Sequence, residues 1–168
     1  MIIASKMERI LGIDPGLNVT GYGVVEVTQE GLRLAEAGVI RGGSHLSLVA
    51  RLGEIFDGVA EVLAAFRPSA MAIEELYSHY ARPRTAILMG HARGVICLAA
   101  VQANTPVVHY AATQVKRMLT GSGRAPKSQV QRAICREMGL DRLPEPPDVA
   151  DALAIALCHH YLSRKLTM

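Results

Sequence analysis

The sequence predicts an α/β protein built on a five-stranded sheet of mixed direction that is flanked by helices. Three β-rich, glycine-punctuated segments, residues 9–14, 20–28 and 32–41, follow one another with connections short enough for hairpins. They should therefore pair antiparallel. The rest of the chain alternates helical and strand patterns, and a meander followed by such an alternation is typical of a mixed α/β sheet.

The remaining elements follow from apolar periodicity and from proline. Residues 46–66 carry apolar side chains at helical spacing and stop before Pro68. Residues 70–74 form a continuous apolar run that ends in an acid, as expected for a strand buried on both faces. The later elements are a helix over 84–103, a short strand at 107–108, and helices over 112–119, 128–138 and 148–162.

The chain length favours a single domain. Half of the 168 residues are apolar, which is enough for one substantial core. We expect one domain over residues 1–168, with residues 1–8 as a poorly ordered extension in which Met7 is an alternative start. No segment has the pattern of a signal peptide or a membrane span, so we expect a cytoplasmic protein with no membrane partner.

The charge is modest overall but uneven along the chain. The formal net charge is +3, yet residues 76–136 contain no acidic side chain. The basic residues of this tract are Arg82, Arg84, Arg93, Lys116, Arg117, Arg124, Lys127, Arg132 and Arg136. A long one-signed stretch favours a polyanionic partner such as nucleic acid, although composition alone does not separate that partner from an ordinary basic surface.

Four acidic residues occupy positions that the predicted fold can bring together. Asp14 ends the first strand and Glu74 ends the fourth, so both emerge at one edge if these strands are parallel neighbours. Asp148 and Asp151 lie three positions apart at the start of a helix and share a face. Grouped carboxylates need a compensating cation, and oxygen-rich clusters suit Mg²⁺ or Mn²⁺. The pattern indicates two-metal phosphodiester hydrolysis.

Each acid also has a simpler interpretation. Asp14 precedes Pro-Gly and could only begin a turn. The strand pattern does not choose between Glu74 and Glu75. Asp148 and Asp151 follow two prolines and could only serve the amino end of their helix. The functional interpretation depends on the coincidence of all four.

Several short motifs in a fixed order make the sequence resemble the RuvC Holliday-junction resolvases. The likeness runs over about residues 9–160. The motifs are Gly12-Ile13-Asp14-Pro15-Gly16, Thr20-Gly21-Tyr22-Gly23, Ala72-Ile73-Glu74, Tyr110-Ala111-Ala112, Lys127-Ser128-Gln129-Val130-Gln131 and the segment 148–154.

The resemblance implies a ribonuclease H-like fold, in which the fourth and fifth strands run parallel to the first, and a homodimer. It implies paired symmetric nicks across a four-way DNA junction, leaving 5′-phosphate and 3′-hydroxyl ends, in recombination and repair. It selects Glu74 over Glu75 and assigns Asp14, Glu74, Asp148 and Asp151 as the catalytic, metal-binding set. It further implies two Mg²⁺ ions, replaceable by Mn²⁺, and the branch-migration partners RuvA and RuvB.

The resemblance also suggests DNA contacts. Tyr77 stands where relatives carry an aromatic residue near the opening of the junction, so it is expected to stack on a base. Lys116 and Lys127 match basic positions, and Lys127 could also balance charge on the scissile phosphate. Arg82, Arg84 and Arg124 complete the predicted DNA-contacting set.

Three other interpretations stay open at this point. A glycine-flanked Asp after a first strand also begins the phosphate hairpin of actin-like ATPases, but those need two such lobes. RNA-acting nucleases of the YqgF type share the opening motif, whereas the segments at Lys127 and Asp148 fit the resolvases better. A non-catalytic junction-binding module would tolerate loss of the acids.

Overall fold

The computed structural model describes residues 7–76 and 82–165. Within these ranges the strands are β1 (Glu8–Asp14), β2 (Val19–Thr28), β3 (Gly31–Arg41), β4 (Ala70–Glu74) and β5 (Val107–Tyr110). The helices are α1 (Leu48–Phe66), α2 (Pro83–Gln102), α3 (Ala112–Thr120), α4 (Lys127–Met138) and α5 (Pro147–Lys165). Every predicted strand and helix is present. Most of the predicted extension, residues 1–6, lies outside the described residues.

The strands form one sheet in the order β3-β2-β1-β4-β5. β1, β2 and β3 are an antiparallel meander, and β4 runs parallel to both β1 and β5. This arrangement confirms the predicted mixed sheet. In the register, Ile13 pairs with Ile73 and Glu74 pairs with Tyr110. The carboxyl ends of β1 and β4 therefore lie side by side at one edge of the sheet.

Helices cover both faces of the sheet. Along β1, Leu11 and Ile13 pack with α1 and α2 on one face of the sheet. Ile10 faces the other side and packs in the cluster with α3, α4 and α5. All three are 0% exposed. Because β1 is buried on both faces, its sequence is a continuous apolar run and not an alternation of apolar and polar residues.

Glycines in β1 and β2 let α5 lie directly against the sheet. A Cβ atom at Gly12 would lie 2.0 Å from the carbonyl oxygen of Ala152. A Cβ atom at Gly21 would lie 2.2 Å from the carbonyl oxygen of Asp148. Since no side chain can occupy either position, this approach of helix to strand requires glycine.

Helix α2 is mostly apolar and exposes part of its apolar surface. Ala92 and Ile96 are 0% exposed on the core side, whereas Ile87, Leu98 and Val101 are 62%, 48% and 67% exposed. Among the described residues, α2 is also long and apolar enough to cross a membrane. The expectation that no segment has the length and composition of a membrane span was therefore wrong. Helix α2 packs with α1 in one apolar cluster, and 22% of its apolar window is buried.

Candidate active site

Asp14 and Glu74 end neighbouring parallel strands and face the same side of the sheet. Ile10 and Ala72 both pack in the cluster beneath α3, α4 and α5. Successive side chains along a strand point to opposite faces of the sheet. Ile10 lies four positions before Asp14 and Ala72 lies two positions before Glu74, so each acid shares a face with the residue of its own strand. Asp14 and Glu74 therefore face the α5 layer. Glu75 lies beyond the strand and is exposed, so the geometry favours Glu74.

Helix α5 begins at the same edge and brings two further carboxylates. Gly21 is the β2 partner of Asp14 in the antiparallel register. The backbone of Asp148 lies against that same glycine. Asp151 lies one helical turn further along α5. The structure thus places all four predicted acids around the carboxyl ends of β1 and β4.

The clustering is evident in the pKa of Asp14. The pKa of its carboxyl group is raised from 3.8 to about 7, first by burial and then by the charges of Asp151, Glu74 and Asp148. Lys127 acts in the opposite direction. A carboxyl group whose pKa is raised toward 7 by burial and by three neighbouring carboxylates is typical of a metal-ligand cluster whose negative charge no cation yet compensates.

Glu74 is held by contacts that the sequence did not indicate. Burial raises its pKa, with a smaller upward effect from Asp151, whereas Lys116 and Arg93 lower it. The guanidinium of Arg93 on α2 donates to the backbone carbonyl oxygen of Glu74, and its other terminal nitrogen lies 3.0 Å from His109 Nδ1. The basic tract contained Arg93, but no pattern marks it because the contact joins two different layers of the fold.

Two predicted basic residues lie beside the carboxylates. Lys127 Nζ donates to Asp151 Oδ2 at 2.9 Å. Lys116 and Lys127 line a cavity of about 290 Å³ together with Glu74 and Asp151. The floor of this cavity is apolar and includes Val115, Val130, Ile134, Ala154 and Ile155. An anionic group with an adjoining apolar surface, such as a nucleotide, fits a cavity of this composition.

The other predicted DNA-contacting residues lie elsewhere. Arg82, Arg84 and Arg124 are exposed, and none of them lines the cavity that contains Lys116 and Lys127. Tyr77 lies outside the described residues. A larger hollow, of about 560 Å³, lies between the carboxyl-terminal ends of α1 and α2 and has no acidic lining residue. Because it lies at the opposite end of the sheet, it is not a candidate for this chemistry.

The donor set fits a hard divalent cation. Asp14, Glu74, Asp148 and Asp151 offer carboxylate oxygens, which Mg²⁺ and Mn²⁺ prefer to the nitrogen and sulfur ligands of other metals. Within residues 7–76 and 82–165, no three acidic, histidine or cysteine side chains already have the geometry to hold an ion.

Comparison with known proteins identifies the family of the chain. Residues 10–159, which include all four carboxylates, match the family model described as crossover junction endodeoxyribonuclease RuvC. A protein of that description from Rhodopirellula baltica is 58% identical over 154 residues, which cover 92% of this chain and 86% of that protein. Another from Halorhodospira halophila is 46% identical over 162 residues, covering 96% and 95%.

Solved structures extend the likeness to the fold. Two structures of Thermus thermophilus RuvC are 38% identical to this chain and cover 95% of it and 97% of their own chains. The TM-scores are 0.88 for one and 0.90 for the other, which is in complex with a Holliday junction substrate. The mixed sheet is therefore the ribonuclease H-like sheet expected from the sequence, and the chain belongs to the RuvC family of crossover junction endodeoxyribonucleases.

Proposed function

We propose that this protein resolves four-way DNA junctions by paired symmetric nicks, leaving 5′-phosphate and 3′-hydroxyl ends, in recombination and DNA repair. The observation that carries the proposal is the meeting of Asp14, Glu74, Asp148 and Asp151 at one edge of the sheet, with the pKa of Asp14 raised to about 7. The complex of Thermus thermophilus RuvC with a Holliday junction substrate supports it. Four retained carboxylates argue against a non-catalytic binding module.

As a RuvC nuclease the chain uses divalent metal ions, and we propose two Mg²⁺ ions that Mn²⁺ can replace. Bound there, they would activate a water molecule and stabilise the departing 3′ oxygen. The four carboxylates would hold them, Asp14 and Glu74 from the strand ends and Asp148 and Asp151 from the beginning of α5. Burial of Asp14 at the end of β1 limits its contact with bulk water and strengthens its electrostatic effect.

Lys116 and Lys127 would bind the phosphates of the cut strand. Both line the cavity next to Glu74 and Asp151, and Lys127 reaches within 2.9 Å of a carboxylate oxygen. A cation at that distance can balance the charge of the scissile phosphate while remaining close to the metal ligands. Arg82, Arg84 and Arg124 would then contact the backbone farther away, and Tyr77 would stack on a base at the junction opening.

We also propose that the protein is a homodimer that pairs through α2. Ile87, Gly90, Gly94, Leu98 and Val101 are all exposed on this helix, and their spacing of three, four, four and three residues forms one stripe. A shallow cavity of about 410 Å³ follows the stripe at the first three of them and at Leu52 on α1. A second copy of α2 would cover this surface, and the two-fold axis would present two active sites for two symmetric nicks.

A change of charge on the stripe tests the dimer. Ile87→Glu should convert the wild-type dimer to a monomer in multi-angle light scattering, because a buried carboxylate would lack a partner. Val49→Glu is the matched control, since Val49 is 80% exposed on α1 and outside the stripe. A monomeric wild-type protein would contradict the proposal.

The remaining assignments follow from family membership. We propose that the whole chain acts as one nuclease domain in the bacterial cytoplasm. RuvA and RuvB, the branch-migration proteins, would share the junction with it. Co-migration of the three proteins on one junction in native gels, compared with each pair alone, tests the partnership.

The function is tested by cleavage of a mobile four-way junction. Wild-type protein with Mg²⁺ should nick opposite strands symmetrically, and a linear duplex of the same sequence should stay intact. Asp14→Asn should bind the junction and not cut it, whereas Asp57→Asn, a change of an exposed acid on α1, should cut normally. Full cleavage by Asp14→Asn would contradict the proposed mechanism, and equal cutting of duplex and junction would contradict the substrate.

A further inference from the structure

A second cavity borders the carboxylates and has no assigned role. It has a volume of about 460 Å³ and is lined by Asn18, Arg51, Thr85 and Asp148 among others. None of its lining residues belongs to the cavity that contains Lys116 and Lys127. Since Asp148 borders one cavity and Asp151 the other, the metal-binding carboxylates lie between the two.

The cavity has one basic lining residue, Arg51, and lies beside the first turns of three helices. Arg51 lies in the first turn of α1, Thr85 in the first turn of α2 and Asp148 in the first turn of α5. Three helices therefore begin beside this cavity, and the positive ends of their dipoles lie near it. Asp148 is the one acidic residue in the lining, and its carboxylate belongs to the proposed metal site.

Arg51 is a cation without a counter-charge in the described residues. One of its terminal nitrogens donates to Asn18 Oδ1, and no ion pair joins it to a carboxylate within residues 7–76 and 82–165. Its Nε atom is buried there without a hydrogen-bond partner. A guanidinium offers five donors, and leaving one of them buried and unpaired is unfavourable. An anion in the cavity would compensate the charge.

Asn18 adds a second donor. Its Oδ1 atom accepts from Arg51, and its amide NH₂ group is a donor on a residue that lines the cavity. The hydroxyl group of Thr85 lines the same space. A guanidinium, an amide N–H and a hydroxyl around one cavity form a set of donors suited to phosphate oxygens.

We propose that this cavity binds a backbone phosphate of the cut DNA strand, adjacent to the scissile phosphate, through Arg51 and Asn18. The proposal rests on the proposed nuclease function and adds an anchoring point to it. Lys116 and Lys127 hold the strand on one side of the carboxylates, and Arg51 holds it on the other. Two anchors on either side of the reaction centre fix the position of the scissile phosphate along the strand.

The first test measures junction binding without metal as a function of salt. Arg51→Gln should bind about three- to tenfold more weakly than wild type and reduce the slope of log K against log salt by about 1. Arg67→Gln is the matched control, because it removes the same charge at the opposite end of α1, about 24 Å away along the helix axis. Equal effects of the two variants would overturn the proposal.

The second test replaces single phosphates in the junction by neutral methylphosphonates, at each position flanking the scissile phosphate. At one flanking position the replacement should weaken binding by wild type about three- to tenfold and leave binding by Arg51→Gln unchanged. Independent, additive losses at every position would overturn the subsite. If Arg51→Gln does not fold, as judged by circular dichroism, Arg51→Lys replaces it and should lose only part of the dependence on that phosphate.

These outcomes separate the subsite from the function. Wild-type cleavage of the unmodified junction with Mg²⁺ is measured in parallel. If wild type cleaves the junction but Arg51→Gln and Arg67→Gln weaken binding equally, the subsite is contradicted and the nuclease function stands. If wild type does not cleave the junction, both the nuclease function and the subsite are contradicted.

Discussion

Lys127 Nζ lies 2.9 Å from Asp151 Oδ2, and this ion pair connects the first residue of α4 to the second turn of α5 at the carboxylate cluster. Both side chains are partly exposed, 54% for the lysine and 40% for the aspartate. An exposed ion pair contributes little to stability. We therefore propose that this lysine, beside the carboxylate cluster, serves substrate binding and charge balance.

Lys127→Ala should slow cleavage far more than it weakens binding. If the ammonium group balances charge on the scissile phosphate, its removal should lower the single-turnover rate by about 10²–10³-fold, while junction affinity falls about tenfold or less. Arg132→Ala is the control, because Arg132 is an exposed cation of the same helix that lies outside the cavity. A loss confined to affinity would assign Lys127 to backbone contact alone.

Magnesium should stabilise the fold through the carboxylate cluster. Binding to the native state alone adds about 2.7 kcal/mol at a hundred times the dissociation constant, and each kcal/mol raises Tm by about 2–4 °C in a protein of this size. Asp14→Asn removes one of four repelling charges and should be more stable than wild type in EDTA, with a smaller gain from Mg²⁺. Differential scanning calorimetry at constant ionic strength measures both, and equal gains would contradict the assignment of Asp14.

Gly21→Ala should slow cleavage by about 10²-fold because it displaces α5. The added methyl group would lie 2.2 Å from the carbonyl oxygen of Asp148, and a displacement of about 1 Å at an active site can cost 10²-fold in rate. Gly53→Ala is the matched control, since a Cβ atom there meets nothing within 4 Å. Gly53 lies inside α1, so this control should gain about 0.5–1 kcal/mol in unfolding free energy. Junction cleavage and urea denaturation of both variants test the contrast.

The acid stability of the protein should depend on Glu26. Its side chain is 3% exposed and accepts from Arg9 Nε at 2.8 Å and from Arg33 Nε at 3.0 Å. These hydrogen bonds, first with Arg33 and then with Arg9, lower its pKa below 4.5 in the folded state. The stabilisation is therefore fully present above the unfolded pKa and is lost as pH falls through the folded pKa.

Urea denaturation as a function of pH tests this. Glu26→Gln should lower the unfolding free energy by about 1–3 kcal/mol at pH 7, and the difference from wild type should shrink as pH falls below 4.5. Glu30→Gln, at an exposed turn residue, should leave the curve unchanged. A constant difference across acidic pH would show that Glu26 does not titrate in this range.

Local patterns were sufficient to predict most of the fold. The continuous apolar runs before Asp14 and Glu74 identified β1 and β4, because a strand buried on both faces has no polar alternation. Helical spacing identified α1, and the pattern of short connections identified the meander. These features depend on neighbouring residues in the chain, so a sequence carries them directly.

The sequence by itself determined the strand ends that carry Asp14 and Glu74, the pair Asp148 and Asp151, and the basic tract. Tertiary structure alone decided how closely they meet, because Gly21 admits the backbone of α5. It also decided that Arg93 holds Glu74 and that Arg51 lines a separate cavity. Such contacts join side chains from different layers, and no local periodicity records which residues of two packed layers will touch.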